Sequence, residues 1–410
     1  MKITDIRTMK LVGPLNHGQG GATDETIAKV IVRVDSDAGI YGLGEVDDFF
    51  GVREAVDYMK HYFMGRDPFE ANAIVSEMLF ATLPPHDERS RHGRMPNGMV
   101  ACPTSSPTAT PWGPALWACS GVEMALCDLA GKALKTPVYN LLGGKIRGKV
   151  RIYLDRSSPA DIGKLDAWKR LAAETVEAGF TQMKFDIDYV ASDCAGDVWS
   201  RSLSLKEINR IVQRLLAVRE VVGPDFELCV DCHMQYNAPD TIRLAQALAP
   251  LNLLWLEDPT PITNPDSCAE VRSKSPISIC IGEMFSAEHF RIFIDHKACD
   301  ILHPDVLFCG GLHEARRIAD FAELHHLPMA MHGNGGALAT IAAAHAAAAS
   351  RNFIGLEYHF VETPWIGQIV QRDLPLFQNG HVVLLDQPGL GIELNETVCK
   401  KYLASGEKLF

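Results

Sequence analysis

From about residue 149 the chain alternates between short apolar runs and amphipathic stretches. Runs at 149–155 (KVRIYLD), 181–187 (TQMKFDI), 226–233 (FELCVDCH), 253–259 (LLWLEDP), 278–284 (SICIGEM), 301–307 (ILHPDVL), 328–334 (PMAMHGN) and 353–359 (FIGLEYH) predict strands. Between them, 166–179, 204–222, 238–250, 265–274, 286–298, 311–326 and 336–350 carry helical spacing. Strands alternating with helices imply a parallel sheet, and eight such strands suggest a closed α/β barrel. An open doubly wound sheet would want a glycine-rich phosphate turn after an early strand, and no G-x-G-x-x-G occurs.

Residues 1–150 are organised differently. The stretch 26–46 reads as two strands joined by a D-x-x-G turn, and 52–65 and 69–83 have helical spacing. Residues 84–114 are rich in Pro, Ser, Thr and Gly without a period, and such a long connection is usually functional or disordered. Residues 115–134 form a nearly all-apolar helix, expected to be buried on most sides. The tail 373–410 is strand and turn again; it has no place in the barrel and is expected to return to the N-terminal domain. The expected organisation is an α+β domain at 1–135, a barrel at 136–372 and the returning tail.

Composition narrows the partners. A net charge of −12 disfavours nucleic acid and anionic membrane. No run approaches the ~20 apolar residues of a membrane span, and the first residues lack a signal-peptide core. Eleven scattered cysteines then read as reduced thiols of a cytoplasmic protein. Cys229 and Cys232 stand three apart on a strand, so their sulfurs should diverge.

Polar residues stand at the C-terminal end of nearly every barrel strand: Lys184 and Asp186, Asp231 and His233, Glu257, Glu283, Asp305, His332 and Glu357. That end of a barrel is where active sites form. Residues two apart share a face, so Lys184 should point with Asp186, and Asp231 with His233. Buried carboxylates cost several kcal/mol each unless paired, protonated or metal-bound. Asp231, Glu257 and Glu283 come from consecutive strands, and three hard oxygen donors suit Mg2+. No Cys/His trio recommends zinc. A histidine at this mouth, such as His332, titrates in the range that suits a base near neutral pH. His303, His325, His326 and His345 read instead as core or loop histidines, and Asp258 as structural.

These residues carry a resemblance. The pre-barrel segment GVEMALCDLAGKALKTPVYNLLGG, the D…E-D-P…G-E series at Asp231, Glu257 and Glu283, and H-P-D followed by His332 and Glu357 resemble the mandelate racemase/muconate lactonising branch of the enolase superfamily. The likeness runs from about 26 to 393. It implies a (β/α)7β modified TIM barrel under an α+β capping domain made from both termini. It also implies a Mg2+-stabilised enolate formed by removing the proton α to a carboxylate. Homo-oligomers, dimers or octamers, are common in the family.

At the second strand a racemase of this branch carries K-x-K, and here the motif is K-F-D, with Asp186 in the second position. D-C-H, with His233 two residues after Asp231, instead resembles the galactonate/mannonate type of acid-sugar dehydratase. The resemblance implies that His332 takes the α-proton, that His233 protonates the departing β-hydroxyl, and that a 2-keto-3-deoxy acid results from a small acid-sugar substrate. Lys184 and Glu357 would contact the substrate carboxylate or enolate, and Asp186 would bind a hydroxyl, neutralise Lys184 or reach the metal shell. An epimerase or racemase and a non-catalytic binding relative are the alternatives. His17, Asp47 and Asp48 are candidate substrate readers in the capping domain, and Trp365 either packs on a ligand or fills the core.

Overall fold

The computed structural model describes residues 1–16, 25–80, 113–188 and 201–410. The expectations placed on 81–112 and on His17 lie outside the described residues.

An antiparallel sheet opens the chain, with β1 (Ile3–Pro14), β2 (Thr26–Ser36) and β3 (Tyr41–Val46) in that order. The sequence pattern showed β2 and β3 but not β1, whose polar positions (Asp5, Arg7, Lys10) interrupt the apolar run. Three helices follow: α1 (Val52–Phe63), α2 (Ala71–Phe80) and α3 (Pro114–Leu134). Positions 116–131 of α3 are all buried. The helix lies directly on the sheet because the contact stripe is nearly without side chains. A Cβ on Gly42 would strike the backbone of Ala125, and one on Gly44 the backbone of Gly121. From the helix side, a Cβ on Gly121 would come within 2.6 Å of the Glu45 carbonyl oxygen. Short α4 (Val138–Leu141) then leads into the barrel.

Eight parallel strands form that barrel: β4 (Lys149–Asp155), β5 (Gln182–Asp186), β6 (Glu227–Asp231), β7 (Leu256–Glu257), β8 (Ile279–Ile281), β9 (Ile301–Leu302), β10 (Met329–Met331) and β11 (Phe353–Tyr358). It closes by pairing β11 with β4, Glu357 opposite Tyr153. Seven helices alternate with the strands: α5 (Leu165–Glu177), α6 (Leu205–Val222), α7 (Ala238–Leu248), α8 (Pro265–Lys274), α9 (Ala287–Asp295), α10 (Leu312–Leu324) and α11 (Ala337–Ala349). This is the (β/α)7β architecture expected from the alternation. Several strands are shorter than their apolar runs, so Glu283, Asp305 and His332 sit just past strand ends, on the mouth loops.

Cys229 lines the barrel interior with Tyr153, Trp255, Cys280 and Ala330, whereas Cys232 packs in the outer layer with Leu244 and Leu248. The two thiols diverge as expected, although Cys232 lies one residue past the end of β6. The nine cysteines among the described residues are free and buried. No helix among the described residues is long and apolar enough to cross a membrane.

The tail departs from expectation in one respect. After α12 (Pro364–Gln368) and β12 (Val370–Gln371), β13 (His381–Val383) pairs antiparallel with the first half of β4. Thus the tail does take a place on the barrel sheet, because the start of β4 has an edge that β5 and β11 leave free. It then continues through β14 (Glu393–Leu394) and α13 (Glu396–Tyr402) to the N-terminal sheet, where Ala404 N–H bonds the Lys10 carbonyl and Glu407 pairs with Arg53. Trp365 fills the core there, stacked on Tyr402 with its N–H on the Pro14 carbonyl.

The glycine stripe is testable. Gly44→Val or Gly121→Val forces sheet and helix apart and should lower the unfolding free energy in urea by about 1–3 kcal/mol or more. Gly148→Ala, with open space around its Cβ, should stay within about 0.5 kcal/mol. Equal effects at all three positions would contradict the packing account.

Candidate active site

Strand register builds the site. Asp155 lies opposite Lys184, Asp186 opposite Asp231, and Asp231 opposite Glu257 across β4 to β7. Asp186, Asp231 and Glu257 therefore arrive side by side at the mouth, with Asp155 one layer below beside Lys184. Lys184, 1 % exposed, extends its Nζ into their midst: 2.9 Å from Asp231 Oδ2, 2.6 Å from Glu257 Oε1, 2.7 Å from Glu357 Oε1 and 3.3 Å from Asp155 Oδ2. One ammonium serves four buried carboxylates. Burial alone would lower its pKa, but the surrounding acids outweigh that and hold it well above the usual lysine value.

The acids divide their protons unequally. Burial favours the neutral form of Glu357, yet Lys184, His332 and His359 hold it well below the ordinary carboxylate range. Glu257 goes the other way, raised well above it by burial and by the neighbouring Asp231. Asp186 is also raised, by burial and then by Asp155 and Asp231, and its buried Oδ1 has no hydrogen-bond partner among the described residues.

Asp231, Glu257 and Glu283 each offer an oxygen, all within 4.8 Å of one another. Asp231 and Glu257 are fully buried, and Glu283 is the member that opens toward the mouth. Three hard donors in this arrangement, with a surplus of negative charge that Lys184 does not cancel, fit a divalent cation. The structure also brings Asp186, Asp231 and His233 together as a second possible set.

Two histidine–carboxylate pairs flank this cluster. His332 Nδ1 lies 2.6 Å from Asp305 Oδ2, and its Nε2 is 3.2 Å from Glu283 Oε2. Asp305 is itself fixed by the N–H groups of Leu307 and Asn334. Burial pulls His332 down, but Glu357, Asp305 and Glu283 carry it up to about 10. His233 Nδ1 lies 3.1 Å from Asp188 Oδ1 and its Nε2 3.6 Å from Asp231 Oδ2. Its pKa is pushed up to about 12: burial opposes the shift, and the Asp188 bond and the Asp231 charge outweigh it. The expectation that Asp231 and His233 share a strand face fails in detail. β6 ends at Asp231, and His233 turns with φ 42°. The turn still brings its ring beside Asp231, because its own N–H bonds Asp231 Oδ1.

The capping sheet holds this machinery from above. Glu45, fully buried, accepts from the N–H groups of Gly336 and Ala339 and so caps α11. Lys29 Nζ donates to the Asn334 carbonyl, and Asn334 donates to Asp47 at 2.9 Å. Asp48 is instead engaged by Lys10. Of the residues read as structural, His345 stacks on Tyr139, His325 packs on Phe321, and Asp258 is buried with its carboxylate on the Gly282 N–H.

Several site residues escaped the sequence reading. Asp155 and His359 were visible by the same strand-end and two-residue rules that found the others; His359 Nε2 is 3.2 Å from Glu357 Oε1. Asp188, past the end of β5, and Glu45, in another domain, gave no local signal.

The Lys184 hub generates a prediction. Removing one partner from a buried ion pair costs about 3–5 kcal/mol, so Lys184→Met should lose about that much at pH 7.5 in chelator. The stranded acids then titrate with folded-state pKa values above their unfolded ones. The stability they cost grows as pH rises through that window and shrinks below it. Urea unfolding at pH 5 should therefore show a much smaller deficit; an equal deficit at both pH values would contradict the hub.

Comparison with known proteins agrees with this geometry. Residues 8–143 match the model of the mandelate racemase/muconate lactonizing enzyme N-terminal domain, and residues 167–398 match that of the enolase C-terminal domain-like family. The chain is 32% identical over 410 residues to a D-xylonate dehydratase of Haloferax volcanii, covering 100% of this chain and 90% of the relative. It is 29% identical over 284 residues to an arabinonate dehydratase of Saccharolobus solfataricus, covering 69% and 71%. The crystal structure of a mandelate racemase/muconate lactonizing enzyme-like protein from Rubrobacter xylanophilus superposes with a TM-score of 0.86 at 33% identity, covering 100% and 99%. Matched in both domains and along its whole length, the chain belongs to the mandelate racemase/muconate lactonizing enzyme family of enolase-like proteins.

Proposed function

We propose that the protein is a Mg2+-dependent dehydratase of a sugar acid, an aldonate or aldarate, yielding a 2-keto-3-deoxy acid. One observation carries the reading: two histidine–carboxylate pairs, His332–Asp305 and His233–Asp188, on opposite sides of a three-carboxylate cluster. β6 and β10 are four strands apart in an eight-stranded barrel, so the two histidines approach a central substrate from facing sides. The relatives named D-xylonate and arabinonate dehydratase lend the same substrate class.

Asp231, Glu257 and Glu283 would hold the cation. Bound there, it supplies the positive charge that a second negative charge on the substrate carboxylate requires, and it offsets the acids that hold His332 up. His332, its Nδ1 fixed by Asp305, takes the α-proton at Nε2. His233, its Nδ1 fixed by Asp188, gives a proton to the β-hydroxyl, which leaves as water as the C–O bond breaks. The enol so formed rearranges to the keto acid. Lys184 receives the substrate carboxylate while the charged Glu357 holds its ammonium in place at 2.7 Å, and Asp186 binds a substrate hydroxyl through the oxygen that lacks a partner among the described residues. An epimerase that used Lys184 as its second base is disfavoured, because that ammonium is held by four carboxylates.

The test is a screen of aldonic and aldaric acids with Mg2+, read as 2-keto-3-deoxy product. EDTA should abolish turnover and Mg2+ restore it. Exchange of the α-proton in heavy water without product would favour epimerisation, and neither product nor exchange would favour a binding protein. His332→Asn should abolish exchange. His233→Asn and Asp188→Asn should both retain exchange while losing dehydration by about 10²–10⁴-fold, the usual worth of a general acid. Loss of exchange in His233→Asn would make its assignment wrong.

A further inference from the structure

Away from the mouth, α3 of the capping domain meets the start of α10 of the barrel. α10 begins after Gly311, which has no side chain to cap it. The Glu123 carboxylate does so from α3, accepting the Leu312 N–H at 2.7 Å and the His313 N–H at 3.3 Å. Capping accounts for Glu123, but not for the two side chains that join it. Cys127, one helical turn further along α3, brings its Sγ to 3.2 Å from Glu123 Oε1. His313 Nδ1 lies 2.5 Å from the same oxygen, and Sγ and Nδ1 are 3.5 Å apart. One sulfur, one nitrogen and one oxygen from two domains thus meet at a single place.

Bonds of 2.0–2.3 Å to a tetrahedral Zn2+ set neighbouring ligand atoms about 3.3–3.6 Å apart. The sulfur already stands at about that spacing from both partners. The Nδ1–Oε1 pair is closer because a proton now joins it, and an ion would take that proton's place. His313 is the member able to yield: its side chain is 35% exposed, against 1% for Glu123, and it gives solvent a way in. Burial and the Glu123 charge push the Cys127 thiol well up, so it stays protonated until a metal takes it as thiolate and its proton leaves to solvent. The donor set is softer than the all-oxygen set at the mouth, and a thiolate with an imidazole selects Zn2+ over Mg2+. The other Glu/Cys/His set among the described residues, Glu257 with Cys280 and His303, is fully buried and shares Glu257 with the mouth.

We propose that Glu123, Cys127 and His313 form a second metal site, which takes Zn2+ and ties the capping helix α3 to the barrel helix α10. The site is independent of the reaction at the mouth, and sequence spacing could not show it, because Cys127 and His313 are 186 residues apart.

Co2+ in place of Zn2+ provides the test, read by absorption of the full chain with Mg2+ in excess. A thiolate on Co2+ gives a charge-transfer band in the near ultraviolet, which the oxygen ligands of the mouth do not. The parent should develop that band to one equivalent, and Zn2+, the stronger binder, should bleach it. Cys127→Ser keeps a donor to Glu123 but removes the sulfur, and should lose the band. His313→Ala, changed at the exposed member, should bind Co2+ at least about tenfold more weakly. Zn2+ should raise the thermal midpoint of the parent by about 2–4 °C more than that of Cys127→Ser. A parent without the band would overturn the proposal, and so would parent-like affinity in His313→Ala. A band surviving in Cys127→Ser would put the metal on another sulfur and overturn it too, and equal Zn2+ shifts in the two proteins would contradict the tie between the helices.

Discussion

Too much negative charge, drawn into too small and dry a space, governs this molecule. The barrel register sets Asp186, Asp231 and Glu257 side by side, Asp155 and Glu357 stand close beneath them, and among the described residues one ammonium, that of Lys184, reaches among these acids. Carboxylates so placed would repel each other by several kcal/mol without a counter-charge. The two mouth histidines shift upward in response, and Glu257 and Asp186 shift toward their neutral forms. A site poised in this way gains most from a dication, and it supplies oxygen ligands for one. On the proposed reading the same surplus lets a proton be taken next to a carboxylate here, because a bound cation and Lys184 would together face the charge that develops.

The rest of the fold serves to hold that arrangement still. α3 lies on the capping sheet through a stripe of glycines, which brings β3 close enough for Glu45 to reach across and cap α11. Asn334, two residues after His332, is gripped by Lys29 and Asp47 from the cap and by Asp305 from the barrel. His332 and Asp305 are thereby anchored by both domains. From below, the Tyr153 hydroxyl donates to Glu357 and is itself met by His303 Nε2 at 2.7 Å.

Much of this was legible in the sequence, and the reason is periodicity. Barrel strands and helices announce themselves by a change of period from two to 3.6, and all eight strands and seven helices appear where the pattern put them. Strand-end logic likewise found Lys184, Asp186, Asp231, Glu257, Glu283, Asp305, His332 and Glu357, which the structure gathers at one mouth. What stayed hidden depends on contacts distant along the chain. β13 joins β4 because of an unpaired edge that exists only once the barrel closes. Asp188 meets His233 through loop geometry that no alternation rule describes. His303 looked like a core histidine and is one, fully buried with its Nε2 2.7 Å from the Tyr153 hydroxyl.

The central claim is that Asp231, Glu257 and Glu283 jointly hold one divalent cation. A crystal structure at Mg2+ saturation, with a second from Mn2+-soaked crystals to locate the ion by anomalous scattering, tests it most directly. The account predicts a single strong peak with one oxygen of each of the three carboxylates at about 2.0–2.1 Å in the Mg2+ form. A peak seated instead among Asp186, Asp231 and His233, or none while Lys184 still bridges Asp231 and Glu257, would contradict it.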